Sequence, residues 1–275
     1  MFRKLLKYDI QAVFKYWWIA AVITPFVSLT AGAAIQVINV DYTSYGAIQT
    51  LATFLLVMCI FALVMFLTVS QILVFIRFYK NFFSDEGYLT FTLPVKKTDL
   101  INSKLLTSFI FNIASFAVLA VNVVIMLVVG VPEEFFDTRN WKILFDIIAE
   151  LLREINFYGF SYVVLGILIF CALYIMQDLF LAVCITVGAC ITRKHKVLAA
   201  IGIYYGANTV LSFVIEIFSL TGIFSFVGML SNVSEGVIEL SIMLAMIIIL
   251  SLLVLCVAGL YMLECYMLDR RLNLE

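Results

Sequence analysis

The sequence predicts an all-α integral membrane protein: a six-transmembrane-helix bundle with both termini in the cytoplasm (N-in/C-in) and an N-terminal amphipathic helix at the interface. Three observations carry this. Apolar residues fill 65% of 275 positions and charged residues 13%, where a soluble domain has about half and about a quarter. The apolar residues gather in six runs, near 17–38, 48–76, 105–131, 157–192, 197–219 and 237–263, and a spanning helix needs roughly 20 such residues. Fourteen of the seventeen Lys and Arg then fall on one side. They are Arg3, Lys4, Lys7, Lys15, Arg77, Lys80, Lys96, Lys97, Lys104, Arg193, Lys194, Lys196, Arg270 and Arg271. The other side keeps only Arg139, Lys142 and Arg153, so the positive-inside rule places both ends in the cytoplasm.

Residues 1–16 form the interfacial helix, with 17–275 as the transmembrane domain. Phe2, Leu5, Leu6, Ile10, Val13, Phe14 and Trp17 recur at helical spacing, opposite Arg3, Lys4, Lys7, Gln11 and Lys15. Ala31-Gly32-Ala33 has the form of a signal-cleavage site. The run stays apolar to Val40 and five spans follow, so the segment reads as a span instead.

Between the second and third runs lies a cytosolic elbow, 77–104, RFYKNFFSDEGYLTFTLPVKKTDLINSK. Twenty-eight residues is long for a plain connector. Phe82, Phe83, Tyr88, Leu89, Phe91 and Leu93 are costly to leave in water and should pack into something. Gly87 allows a sharp turn after Asp85 and Glu86, and Pro94 ends regular structure. Lys96, Lys97 and Lys104 would return the chain to the anionic lipid surface, and Thr98 with Asp99 can start the next helix.

Outside, 132–156 predicts an amphipathic segment. Trp141, Leu144, Phe145, Ile148, Leu152 and Ile155 make one stripe, and Lys142, Asp146, Glu150, Arg153 and Glu154 the other. It would rest on the outer leaflet or pack on the bundle as a lid. The stretch 220–236 is Gly-interrupted and too short to span, which predicts a short re-entrant or interfacial hairpin before the last span. Asp178 and Glu216 are the acids least easily placed in a loop, and an ionisable group in hydrocarbon is a candidate pathway residue. Asn112, Asn122 and Gln177 are placed to hydrogen-bond between helices.

Several chemistries are excluded. The single histidine, His195, and six cysteines scattered through apolar runs offer no metal-ligand spacing and no disulfide framework. Glu133-Glu134 with Arg139 departs by one residue from the Glu-Glu-x-x-x-Arg signature of prenyl-type membrane proteases and lies in an external loop without partner histidines. Basic residues are dispersed over short loops, which argues against nucleic acid. No catalytic, cofactor-binding or metal site is expected.

The elbow's order of Glu86-Gly87, Leu93-Pro94-Val95-Lys96-Lys97 and Ser103-Lys104 resembles the coupling segment of permease subunits of type-2 ABC exporters. The Pro-Val step follows Leu93 directly, without the family's usual intervening residue. The resemblance implies a non-catalytic permease of a bacterial cytoplasmic membrane, working with a separate ATP-binding subunit and a second permease copy or homologue. No GxxxxGK[ST] loop occurs in the chain, so ATP would be bound by the partner. It also implies ATPase docking by Asp85, Glu86, Gly87, Tyr88, Phe91, Leu93, Pro94, Val95, Lys96, Lys97 and Lys104, and a path lined by spans two and five. The 25 Phe and 13 Tyr suit an apolar or amphipathic substrate, although lipid-facing Phe accounts for the same count. The alternative class is a non-ABC transporter, channel or scaffold that uses Asp178 and Glu216.

Overall fold

A computed structural model describes residues 2–39, 46–83, 87, 96–154, 157–191, 196–230 and 235–270. All regular structure among them is helical: α1 (Phe2–Asn39), α2 (Gly46–Phe83), α3 (Lys97–Gly130), α4 (Pro132–Phe136), α5 (Thr138–Glu154), α6 (Phe157–Ile191), α7 (Lys196–Leu230) and α8 (Glu235–Arg270). Five of these, α1, α2, α3, α6 and α8, are long and apolar enough to cross a membrane. In α7 the described apolar stretch is Val197–Phe213. The chain is therefore a helical, multi-pass membrane protein.

Two boundaries differ from expectation. The amphipathic N-terminus and the first span are one continuous helix, and α7 runs unbroken through 220–230, where a hairpin was expected. A glycine inside a helix costs about 1 kcal/mol, less than leaving backbone groups unpaired in lipid, so Gly222 and Gly228 do not end the helix. Residues 231–234 lie outside the described residues.

The chain divides into two compact units, residues 1–78 with 102–154, and residues 79–101 with 155–275. In the first, α1 and α3 run parallel. Their side-chain bonds hold a near-constant offset: Asp9–Lys104 (95 residues), Trp17–Ser115 (98), Thr24–Asn122 (98) and Gln36–Val129 (93). Helix α2 is antiparallel to α1, since Asp9 meets Arg77, Trp17 meets Phe66, and Thr30 meets Cys59. The apolar centre is Val13, Trp17, Phe66, Val74 and Phe111. In the second unit, α6 and α8 are parallel, with Tyr162–Glu239 (77) and Thr186–Glu264 (78). Helix α7 folds back on α6, with Gly188 against Ala200 and Gln177 bonded to Tyr204 at 2.8 Å.

Small residues let α1 approach α3 closely. A Cβ on Gly32 would sit 2.7 Å from Val129 Cβ and 3.0 Å from the Met126 carbonyl. We expect Gly32→Leu to destabilise the first unit by about 1–3 kcal/mol or more, read as a lower detergent-unfolding midpoint. Gly166→Leu is the control, because nothing lies within 4 Å of that position.

Helix α5 starts from an Asp137 cap, whose Oδ1 accepts from Arg139 N at 2.9 Å. Trp141 Nε1 donates to Phe135 O at 2.6 Å and Asn140 Nδ2 to Glu134 O at 2.9 Å, which fixes the corner with α4. Residues 138–150 are all exposed, both stripes included. The alternative of packing this stretch on the bundle is thus not what its exposure shows.

Candidate functional site

The elbow comes first, because the sequence points there. Asp85, Glu86, Tyr88, Phe91, Leu93, Pro94 and Val95 lie outside the described residues. What surrounds them is well packed. Asn81, Phe82, Phe83, Gly87, Leu100 and Ile101 are buried, and Phe82 is completely enclosed. A Cβ on Gly87 would stand 2.7 Å from the Phe82 carbonyl oxygen and 3.0 Å from its carbon. Position 87 therefore admits glycine because the chain turns back onto the last turn of α2.

On the exit side, the Lys96 carbonyl accepts from Asp99 N at 2.9 Å and Leu100 N at 3.3 Å, so α3 starts at Lys97 rather than at Thr98. Asp99 sits in the first turn, where a carboxylate suits the helix dipole. Lys96 is exposed, as a lipid- or partner-facing lysine would be. Lys97 is half-buried, and its Nζ donates to Leu268 O at 3.0 Å, a cation at the C-terminal end of α8. The expectation that Lys97 returns to the lipid surface is corrected accordingly.

Lys104 needs a larger correction. It is 7% exposed and forms an ion pair with Asp9 of α1. Arg77 Nε lies 3.7 Å from Asp9 Oδ1, and Ser103 Oγ donates to Oδ2 at 3.2 Å. Asp9 is 3% exposed, so one carboxylate holds three helices. Desolvation makes an unpaired charge so costly there that Lys104 turns inward to Asp9 instead of outward to lipid. Sequence inspection missed Asp9 as a partner, because it lies among the lysines of an amphipathic stretch.

Further along the first unit, Trp17 Nε1 donates to Ser115 Oγ at 2.9 Å, and Ser115 and Ser70 hydroxyls meet at 2.7 Å. Asn122 Nδ2 donates to Thr24 Oγ1 at 2.8 Å, as its position in the span suggested. Asn112 is buried, yet its Nδ2 has no hydrogen-bond partner among the described residues.

The two acids read as candidate pathway residues separate. Asp178 is 4% exposed inside the second unit, whereas Glu216 is on the surface of α7. Gln177 pairs with Tyr204, so Glu216 lies about three turns along α7 from the level of Asp178. They do not form one site. The acid that sequence inspection passed over is Glu264, fully enclosed, with Thr186 Oγ1 at 2.7 Å from its Oε1. Among the described residues, no group of three His, Cys, Asp or Glu is placed to hold a metal ion.

Comparison of the chain with family models, with curated proteins and with solved structures gives no significant match.

Proposed function

We propose that this chain is the membrane-spanning permease subunit of an ATP-driven type-2 ABC exporter, moving an apolar or amphipathic substrate. It would cross the cytoplasmic membrane of a bacterium six times, both ends inside, and pair with a second permease and a separate ATP-binding subunit. The observation that carries this is the elbow between α2 and α3. Its sequence has the acidic-Gly, Leu-Pro-Val-Lys-Lys and Lys order of a coupling segment, and its described flanks are packed rather than loose. A segment built only as a tether has no need of an enclosed Phe82 or of a position restricted to glycine. The alternation of helix directions within the second unit supports a sixth crossing by α7, which would carry the chain to the outer side before α8 returns it to the cytoplasm.

In this reading Glu86, Tyr88 and Phe91 meet the ATPase, with the aromatics burying most of the area, while the exposed Lys96 borders the contact. The test is purification of the tagged chain from native membranes, with mass spectrometry of whatever stays bound. We expect a stoichiometric ATP-binding subunit that is lost in Glu86→Lys. A chain that emerges alone, in a detergent that keeps other transporter complexes whole, overturns the proposal.

A second reading, a transporter driven by an intramembrane acid, draws on the burial of Asp178. It no longer draws on Glu216, which is exposed. Transport without any ATPase, abolished by Asp178→Asn, would favour it.

A further inference from the structure

We infer that Glu264 is a proton-binding site: it is held as a neutral carboxylic acid that donates its proton to Thr186 Oγ1 and so latches α8 to α6. The inference stands apart from whether the chain works with an ATPase.

Thr186 Oγ1 lies 3.0 Å from the Ala182 carbonyl and 2.7 Å from Glu264 Oε1. A hydroxyl has one proton to give and two lone pairs to receive with. Spent on Ala182 O, one turn back on α6, that proton is not available to the carboxyl. The short contact to Oε1 is then a bond from a protonated carboxyl to the Thr186 oxygen. Both contacts are made at once in this arrangement, and only in this arrangement.

Burial gives the same answer. Glu264 and Thr186 are both 0% exposed, and Glu264 Oε2 has no hydrogen-bond partner among the described residues. A carboxylate there would carry a full charge with one shared hydroxyl as its solvation, which desolvation penalises heavily. As an acid, the same group leaves bare only a carbonyl oxygen, a far smaller cost. The contrast with Asp9 is instructive, because that carboxylate has an ammonium, a guanidinium and a hydroxyl around it.

Among the residues whose side chains are described, the titratable neighbours on α6 supply no positive charge in compensation. Cys184 is buried on α6, two residues before Thr186, and carries no cationic form. Asp178 shares that face of α6, eight residues and roughly 12 Å from Thr186, and would add only negative charge. Lys97 is committed to Leu268 O, one turn beyond Glu264 on α8. If the latch opens, the carboxyl O–H bond breaks and the proton passes to water, leaving a carboxylate that Thr186 no longer holds.

The experiment is infrared difference spectroscopy of the full chain in lipid vesicles, wild type minus Glu264→Gln. We expect a carboxylic C=O stretch that is absent from the variant, shifts in heavy water, and moves to higher frequency in Thr186→Val as its hydrogen bond is lost. Carboxylate stretches in the difference spectrum, with no acid band, overturn the proposal. So does an acid band that Thr186→Val leaves in place. If Glu264→Gln fails to insert, Glu264→Asp takes its place in the subtraction, with the acid band displaced rather than lost.

Discussion

Replacing Asp9 with asparagine is expected to cost the first unit about 3–5 kcal/mol, the range for removing one partner of a buried ion pair. The substitution keeps the shape of the side chain and an acceptor for Ser103 Oγ, so the charge alone is removed. Lys104, with a side chain only 8% exposed, would then lose the carboxylate it pairs with on α1, while Arg77, 27% exposed, can still turn toward water. The loss is therefore mostly the desolvation of Lys104. The double variant Asp9→Asn/Lys104→Met tests that assignment: with both charges gone it should recover most of the stability, and sit well above the sum of the single effects. Unfolding in mixed micelles measures all four proteins. An exposed pair contributes about 0–1 kcal/mol, so a loss of that size for Asp9→Asn would mean the cluster is wet, and would remove it as the clasp of α1, α2 and α3.

Five of the six apolar runs were legible as candidate spans because length and hydropathy fix them: a run of about 20 apolar residues has few other uses. Packing was legible only where a polar residue interrupts a run, as Asn122 and Gln177 do. Asp9 and Glu264 were hidden for a common reason. Each lies where an apolar run meets charged residues, Asp9 among Lys4, Lys7 and Lys15, Glu264 a few residues before Asp269, Arg270 and Arg271. Charge density there suggests water, although the helix buries one stripe. The usable signal was periodic: Asp9, Val13 and Trp17 succeed one another every four residues, and all three are buried. Lys104 was misplaced for the complementary reason, since a lysine near a membrane surface ordinarily extends to lipid unless an acid waits inside. The helix end near 220 was misjudged by reading Gly222 and Gly228 as breaks, where backbone pairing in lipid dominates.

Gly87→Val should disable the elbow without disturbing the first unit. The added Cβ meets backbone, 2.7 Å from the Phe82 oxygen and 3.0 Å from its carbon, so no side chain can rotate aside. Either the end of α2 shifts or the chain lifts off Phe82, and overpacking of this kind costs about 1–3 kcal/mol. The whole cost falls on 79–101, which belongs to the second unit, while the Asp9 cluster belongs to the first. We therefore expect Gly87→Val to insert normally, to keep the Asp9–Lys104 coupling, and to lose the ATP-binding subunit that the proposed function calls for. Asp85→Asn, which removes a charge at constant shape, and Lys96→Gln, which removes one on a shorter side chain, are the comparison, with a partial loss of partner expected from each. The three results together separate a folded docking surface from a charged patch. A charged patch would tolerate Gly87→Val and fail in the two charge variants, whereas a surface shaped around Phe82 fails first at Gly87. Full retention of the ATPase by Gly87→Val would show that the turn is structural alone, and would move the coupling surface away from this elbow.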